Sequence, residues 1–136
     1  MVISLDTNIW IFGLTKTQPA SMIILDHLAR WSVLVPDQVR TELERNLSQR
    51  TMQRFYQFVA ASQATIDYAP VAEERIAAFK QHGLKKGDAV IAAFCEQHAI
   101  SIFISDNRDF LRTLAPSASF QIVSPSEFCA MFGLTD

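Results

Sequence analysis

Short apolar runs at 2–5, 33–35, 102–104 and 120–123 are separated by longer stretches whose apolar residues recur at helical spacing. Strand-length runs alternating with helices restrict a chain to a parallel sheet joined by crossover helices. The expected fold is therefore α/β, a three-layer α/β/α sandwich around a central, mostly parallel sheet. Helices are expected from near Ala20, along the Val39, Leu43 and Leu47 stripe after a stop at Pro36 and an N-cap at Asp37, and over about 49–62, 71–82, 87–98, 107–113 and 125–132. Turns are expected at Gly13 and over Leu84-Lys85-Lys86, which Gly83 and Gly87 bracket. Residues 65–70 read either as a short edge strand or as a loop.

With 136 residues, 49% of them hydrophobic, the chain is expected to be one domain, 1–136, with a substantial core. Twelve Lys and Arg against fourteen Asp and Glu leave a net charge of −2, so no global basic field advertises nucleic acid, although basic residues can still gather at the rim of an acidic site. No signal peptide or bilayer-length apolar stretch is visible, which makes the cytoplasm the expected compartment, with no membrane contact. Cys95 and Cys129 lie in apolar helical contexts and read as small buried hydrophobes. His27, His82 and His98 lack metal-ligand spacing, the four glycines form no phosphate loop, and there is no nucleophile elbow. Trp10 and Trp31 read as core or interface residues.

The acids carry more information. Asp6 ends the first apolar run, Glu42 lies inside a helical pattern, Asp88 opens another helix, and Asp106 and Asp109 follow the third run. Taken singly, each has an ordinary explanation: a cap at Asp6, a surface pair of Glu42 with Arg45, a helix-dipole contact at Asp88, an Asx turn at 106–109. Taken together, they stand at element ends, and in α/β chains the C-terminal edge of the sheet is where ligands bind. Carboxylates gathered there need a counter-charge. Hard oxygen donors select Mg²⁺ or Mn²⁺, and such sites usually hydrolyse or transfer phosphate, which points to a metal-dependent nuclease. Thr7 and Asn8 are placed to hold a carboxylate or a metal-bound water. Asn8 also disfavours an aspartyl-phosphate phosphohydrolase, which needs a second Asp at that position.

Asp6-Thr7-Asn8 after an N-terminal strand, an acid in the second main helix, Gly87-Asp88-Ala89-x-Ile91-Ala92-Ala93, and Ile104-Ser105-x-Asn107-x-Asp109-Phe110 together resemble the PIN-domain ribonucleases. Val123-Ser124-Pro125-x-Glu127-Phe128 resembles the end of that fold, so the likeness spans the chain, and its length suits the VapC-type toxins of toxin–antitoxin pairs. The resemblance implies a parallel sheet between helices and Mg²⁺- or Mn²⁺-dependent cleavage of RNA. Asp6, Glu42 and Asp88 match the three core acids. The fourth position falls on Asn107, where many members carry Asp, and Asp109 matches the acid that often precedes Phe. Ser105 stands where Thr is usual. Asn107 removes one formal charge, so a second metal would bind weakly there, and Asp106 is the second choice for that place.

On this reading Asp6, Asp88, Asn107 and Asp109 bind metal, and Glu42 binds through water or acts as base. Arg45, Arg50 and Arg54, or Lys85 and Lys86, contact the RNA backbone. Trp10, Ile11, Phe12, Phe55, Tyr56 and Phe58 exceed what a small core needs, and some are expected to line a homodimer interface or a groove for a small antitoxin protein. A non-catalytic binding module, a small-molecule phosphohydrolase and an RNA-processing nuclease without an antitoxin are the competing readings.

Overall fold

The computed structural model describes residues 1–114 and 119–135. The elements run β1 (Val2–Leu5), α1 (Thr7–Leu14), α2 (Pro19–Asp26), a 3-10 turn (Leu28–Arg30), β2 (Ser32–Pro36), α3 (Asp37–Asn46), α4 (Gln49–Ser62), β3 (Thr65–Asp67), α5 (Glu73–Gln81), α6 (Lys86–Gln97), β4 (Ile102–Ile104), α7 (Arg108–Thr113), β5 (Gln121–Val123) and α8 (Pro125–Phe132). All five strands form one parallel sheet in the order β3-β2-β1-β4-β5. Parallel crossovers are almost always right-handed. The chain moves one way through β1, β2 and β3 and returns across the sheet to β4 and β5, so α1 to α4 cover one face and α5 to α7 the other. α8 closes back against α2. The architecture is an α/β/α sandwich.

β4 is apolar and buried, and so is β1 except for Ser4, whose buried hydroxyl donates to the Leu34 carbonyl, as strands covered on both faces require. α6 is buried at Ala89, Ile91, Ala92, Ala93, Phe94 and Cys95, its small residues allowing close approach to the layer beneath. Trp10 is fully buried with its ring edge-on to Phe55 at 4.9 Å, which places two of the surplus aromatics in the core. Trp31 is half-buried against Phe128 and Phe132. Both cysteines are free and buried. Among the described residues no helix is long and apolar enough to cross a membrane.

Local expectations need correction at three places. Gly13 lies inside α1, not in a turn, because it is where α2 packs: a Cβ there would stand 2.5 Å from Leu25 Cδ1 and 3.1 Å from the Ser21 carbonyl oxygen. α6 starts at Lys86, so Gly87 belongs to its first turn. Pro36 takes the capping position of α3, and Asp37 sits one residue inside, paired with Arg40 at 2.7 Å. The segment left open at 65–70 begins as β3, paired with β2.

Candidate active site

The strand order reverses between β1 and β4, and this is the crevice where open α/β sheets bind ligands. The Asp6 backbone N–H donates to the Ile104 carbonyl (2.9 Å), and that of Ser105 donates to Val123 (2.9 Å), so the ends of three strands are tied level. Asp6 is the N-cap of α1: Oδ1 accepts from the Thr7 N–H at 2.8 Å. Its Oδ2 accepts from the Ser105 hydroxyl at 2.6 Å. A cap and a site acid are here the same residue. Asp6 is buried, and desolvation pushes its pKa up to about 6; the Ser105 and Thr7 hydrogen bonds oppose the rise, and the charges of Asp88 and Glu42 add to it.

Glu42 reaches the same crevice from α3. The Thr7 hydroxyl donates to its Oε1 (2.7 Å) and the Gln38 amide to its Oε2 (2.8 Å), one partner for each oxygen. Among the described residues Glu42 makes no ion pair with Arg45, which is exposed. Gly87 permits this approach of α6 to α3, since a Cβ there would lie 2.9 Å from Glu42 Oε2. Gln38 was not singled out from sequence. It lies four residues before Glu42, the spacing at which helical side chains meet, and that signal was available.

Asp88, in the first turn of α6, is half-buried, and its pKa is raised by burial and by the charges of Glu42 and Asp109, against the Asn107 amide and Lys85, which lower it. Asn107 Nδ2 donates to Asp88 Oδ2 at 3.1 Å, its Oδ1 accepts from the Asp109 N–H at 2.9 Å as the N-cap of α7, and its own N–H donates to Ser105 Oγ at 2.9 Å. Asp109 is exposed at the edge of the cluster. Asp106 turns elsewhere, its Oδ2 accepting from Gln18 Nε2 at 2.8 Å. That contact joins residues 88 apart in sequence, and no local pattern announces it. Asn8 is exposed. Lys85 and Lys86 are exposed where α6 begins, and Arg45 and Arg50 lie exposed on α3 and α4. Arg54 instead donates to the Leu14 carbonyl at 2.7 Å and so serves the fold.

Three acids and an amide thus converge, with Asp109 beside them, and among the described residues none of the acids is paired with Lys or Arg. The carboxylates offer only oxygen donors and carry excess negative charge, which suits a hard divalent cation, while the Asn107 amide presents its nitrogen to Asp88. Among the described residues no three His, Cys, Asp or Glu side chains close on one point. Mg²⁺ does not require that, since it keeps several waters and is commonly held by one or two carboxylates. The residues therefore fit the ion.

A parallel α/β domain with an acid-lined crevice at its switch point is the class that fold and site define. The PIN domain family profile matches residues 3–115, and the chain belongs to that family. No curated protein matches it significantly in sequence. Among solved structures it is similar to a chain of VapBC2 from Rickettsia felis bound to a promoter DNA fragment, at 17% identity and a TM-score of 0.62, covering 91% of this chain and 98% of that one. It is similar also to a chain of VapBC-1 from nontypeable Haemophilus influenzae (20% identity, TM-score 0.61, 93% and 99% covered). A toxin–antitoxin complex from Klebsiella pneumoniae gives 22% identity, a TM-score of 0.60 and coverage of 90% and 97%. At these identities the likeness is one of fold.

Proposed function

We propose that the chain is a Mg²⁺- or Mn²⁺-dependent endoribonuclease acting in the cytoplasm as the toxin of a toxin–antitoxin pair. The observation that carries this is the gathering of Asp6, Glu42, Asp88 and Asn107 at the switch point, with Asp109 beside them and, among the described residues, no Lys or Arg ion-paired with any of these acids. Asp6, Asp88, Asn107 and Asp109 would hold the ion, Asn107 after its amide turns oxygen-inward. An ion held by these residues would supply a lowered pKa for a water and shielding of the phosphate charge.

The protein's own part is positioning. Ser105 and Thr7 lock the two oxygens of Asp6, while Thr7 and Gln38 hold Glu42 with its carboxylate facing the crevice, where it orients or deprotonates the attacking water. Lys85 and Lys86 stand at the rim to meet backbone phosphates. Neighbouring hollows along α2, the 3-10 turn and α4, lined by Met22, Leu25, Ala29, Phe58 and Ala61 with Asp26 and Arg54 among them, would take a helix of an antitoxin. A homodimer belongs to the same reading.

The test is cleavage of single-stranded RNA with Mg²⁺ or Mn²⁺ and with EDTA. Cleavage is expected only with the ion, and Asp88→Asn should lose at least 100-fold in rate while keeping the parent's circular dichroism, as removal of a charge-stabilising group usually does. Among the described residues no three His, Cys, Asp or Glu side chains close on one point, which favours one rival, a non-catalytic binding module. Parental cleavage by Asp88→Asn, or none by the parent, would count for that rival.

A further inference from the structure

Beside the acid crevice, on the same rim of the sheet, lies a second cavity of about 220 Å³, lined among others by Pro36, Gln38, Tyr68, Pro70, Val90 and Phe94. It is smaller than the pockets that enclose drug-sized ligands and has room for one planar ring. Two of its walls also belong to the acid site. Gln38 lines the cavity and donates to Glu42, and α6 contributes Val90 and Phe94 here and Asp88 there.

The strand register sets the separation. Val2 pairs with Ser32 and Ile3 with Val33, and continued along the strands this puts Asp6 beside Pro36. Pro36 in turn pairs with Asp67. Asp6 and Asp67 therefore stand level, two strand spacings apart, roughly 10 Å. Tyr68 follows at once.

Tyr68 is 62% exposed, the most exposed aromatic ring among the described residues. It is nonetheless held. Asp67 Oδ1 accepts from the Ala69 N–H at 2.9 Å, an Asx turn that shapes the loop, and the Arg40 guanidinium lies over the Tyr68 ring at 5.3 Å from its centroid. Arg40 is itself fixed by Asp37 and Glu44. An exposed aromatic ring that stacks under a cation and lines a cavity beside the acid crevice has the chemistry by which proteins bind unstacked bases of a single strand.

We propose that this cavity is a nucleobase subsite, in which Tyr68 stacks on a base flanking the scissile phosphate of single-stranded RNA. This rests on the reading of the chain as a ribonuclease. The probe is a single-stranded oligoribonucleotide carrying 2-aminopurine, bound by Asp88→Asn so that it stays intact, with cleavage kinetics run in parallel on proteins that keep Asp88.

Stacking should quench the probe. Adding Tyr68→Ala should abolish the quenching and weaken binding by about 5- to 150-fold, whereas Tyr68→Phe should preserve both. In the cleaving protein Tyr68→Ala should raise KM with kcat nearly unchanged. A parent that cleaves RNA while Tyr68→Ala alters neither quenching nor KM overturns the subsite and leaves the nuclease reading standing. Equal losses in Tyr68→Phe overturn stacking in favour of a hydroxyl contact. A parent that neither cleaves nor binds the probe overturns both readings.

Discussion

Asp6→Asn should stabilise the metal-free protein at neutral pH, although it alters a residue at the heart of the site. Asp6 ionises near pH 6 in the folded chain against 3.8 ordinarily, so its charge costs folding about 3 kcal/mol once fully ionised. The sign follows from the raised value. Below about pH 4 the carboxyl is protonated in both states and costs nothing; between about pH 4 and 6 only the unfolded chain ionises, and stability falls; above that range the penalty is complete. Asparagine removes the charge and can keep the Thr7 N–H bond. Its amide nitrogen can donate to the second lone pair of Ser105 Oγ, but the buried Ser105 hydroxyl loses the carboxylate oxygen it donates to, at a cost of about 1 kcal/mol. The net gain is about 2 kcal/mol above pH 7. For a chain this long, 1 kcal/mol moves Tm by about 3–4 °C, so the variant should melt about 7 °C higher in EDTA at pH 8. At pH 3 the order should reverse, with the variant lower by about 1 kcal/mol. Mn²⁺ should stabilise the parent by about 2.7 kcal/mol at a hundredfold excess over Kd and the variant by less. Scanning calorimetry at both pH values reads all three effects. A variant that melts below the parent at pH 8 in EDTA would show that the carboxylate holds the fold together, and the charge-crowding argument would be wrong.

Asn107→Asp replaces the amide that donates to Asp88 with a like charge. It should lower Tm in EDTA and tighten Mn²⁺ binding in isothermal titration, and an unchanged affinity would place residue 107 outside the coordination sphere. Gly13→Ala gains about 1 kcal/mol of helix propensity but drives a Cβ to within 2.5 Å of Leu25 Cδ1, and overpacking of this kind costs about 1–3 kcal/mol. A urea titration should show a net loss of about 1 kcal/mol, and a gain would mean that α1 and α2 can part freely.

Much of this molecule is legible locally. The strands at 2–5 and 102–104 and the helices at 49–62 and 125–132 match the observed elements residue for residue, because strongly patterned segments buried against a sheet have one face to hide and one way to hide it. Asp6, Asp88 and Asn107 could be picked out because each stands at an element end, where side chain and backbone chemistry are both written into neighbouring letters. Gly13 misled for the opposite reason. Glycine reads as a turn in one dimension, yet here it answers the approach of a helix that the sequence does not show to be close.

What only the tertiary structure decided is which polar groups meet. Thr7 binds Glu42 across 35 residues, Ser105 binds Asp6 across 99, and Gln18 draws Asp106 away while Asn107 turns toward Asp88. Periodicity specifies the face a residue occupies, to within a turn of helix. A hydrogen bond requires partners within about 3 Å. That precision comes from the packing of α1, α3 and α6 over the sheet, down to the missing Cβ of Gly87, and so the chemistry of the crevice belongs to the fold as a whole.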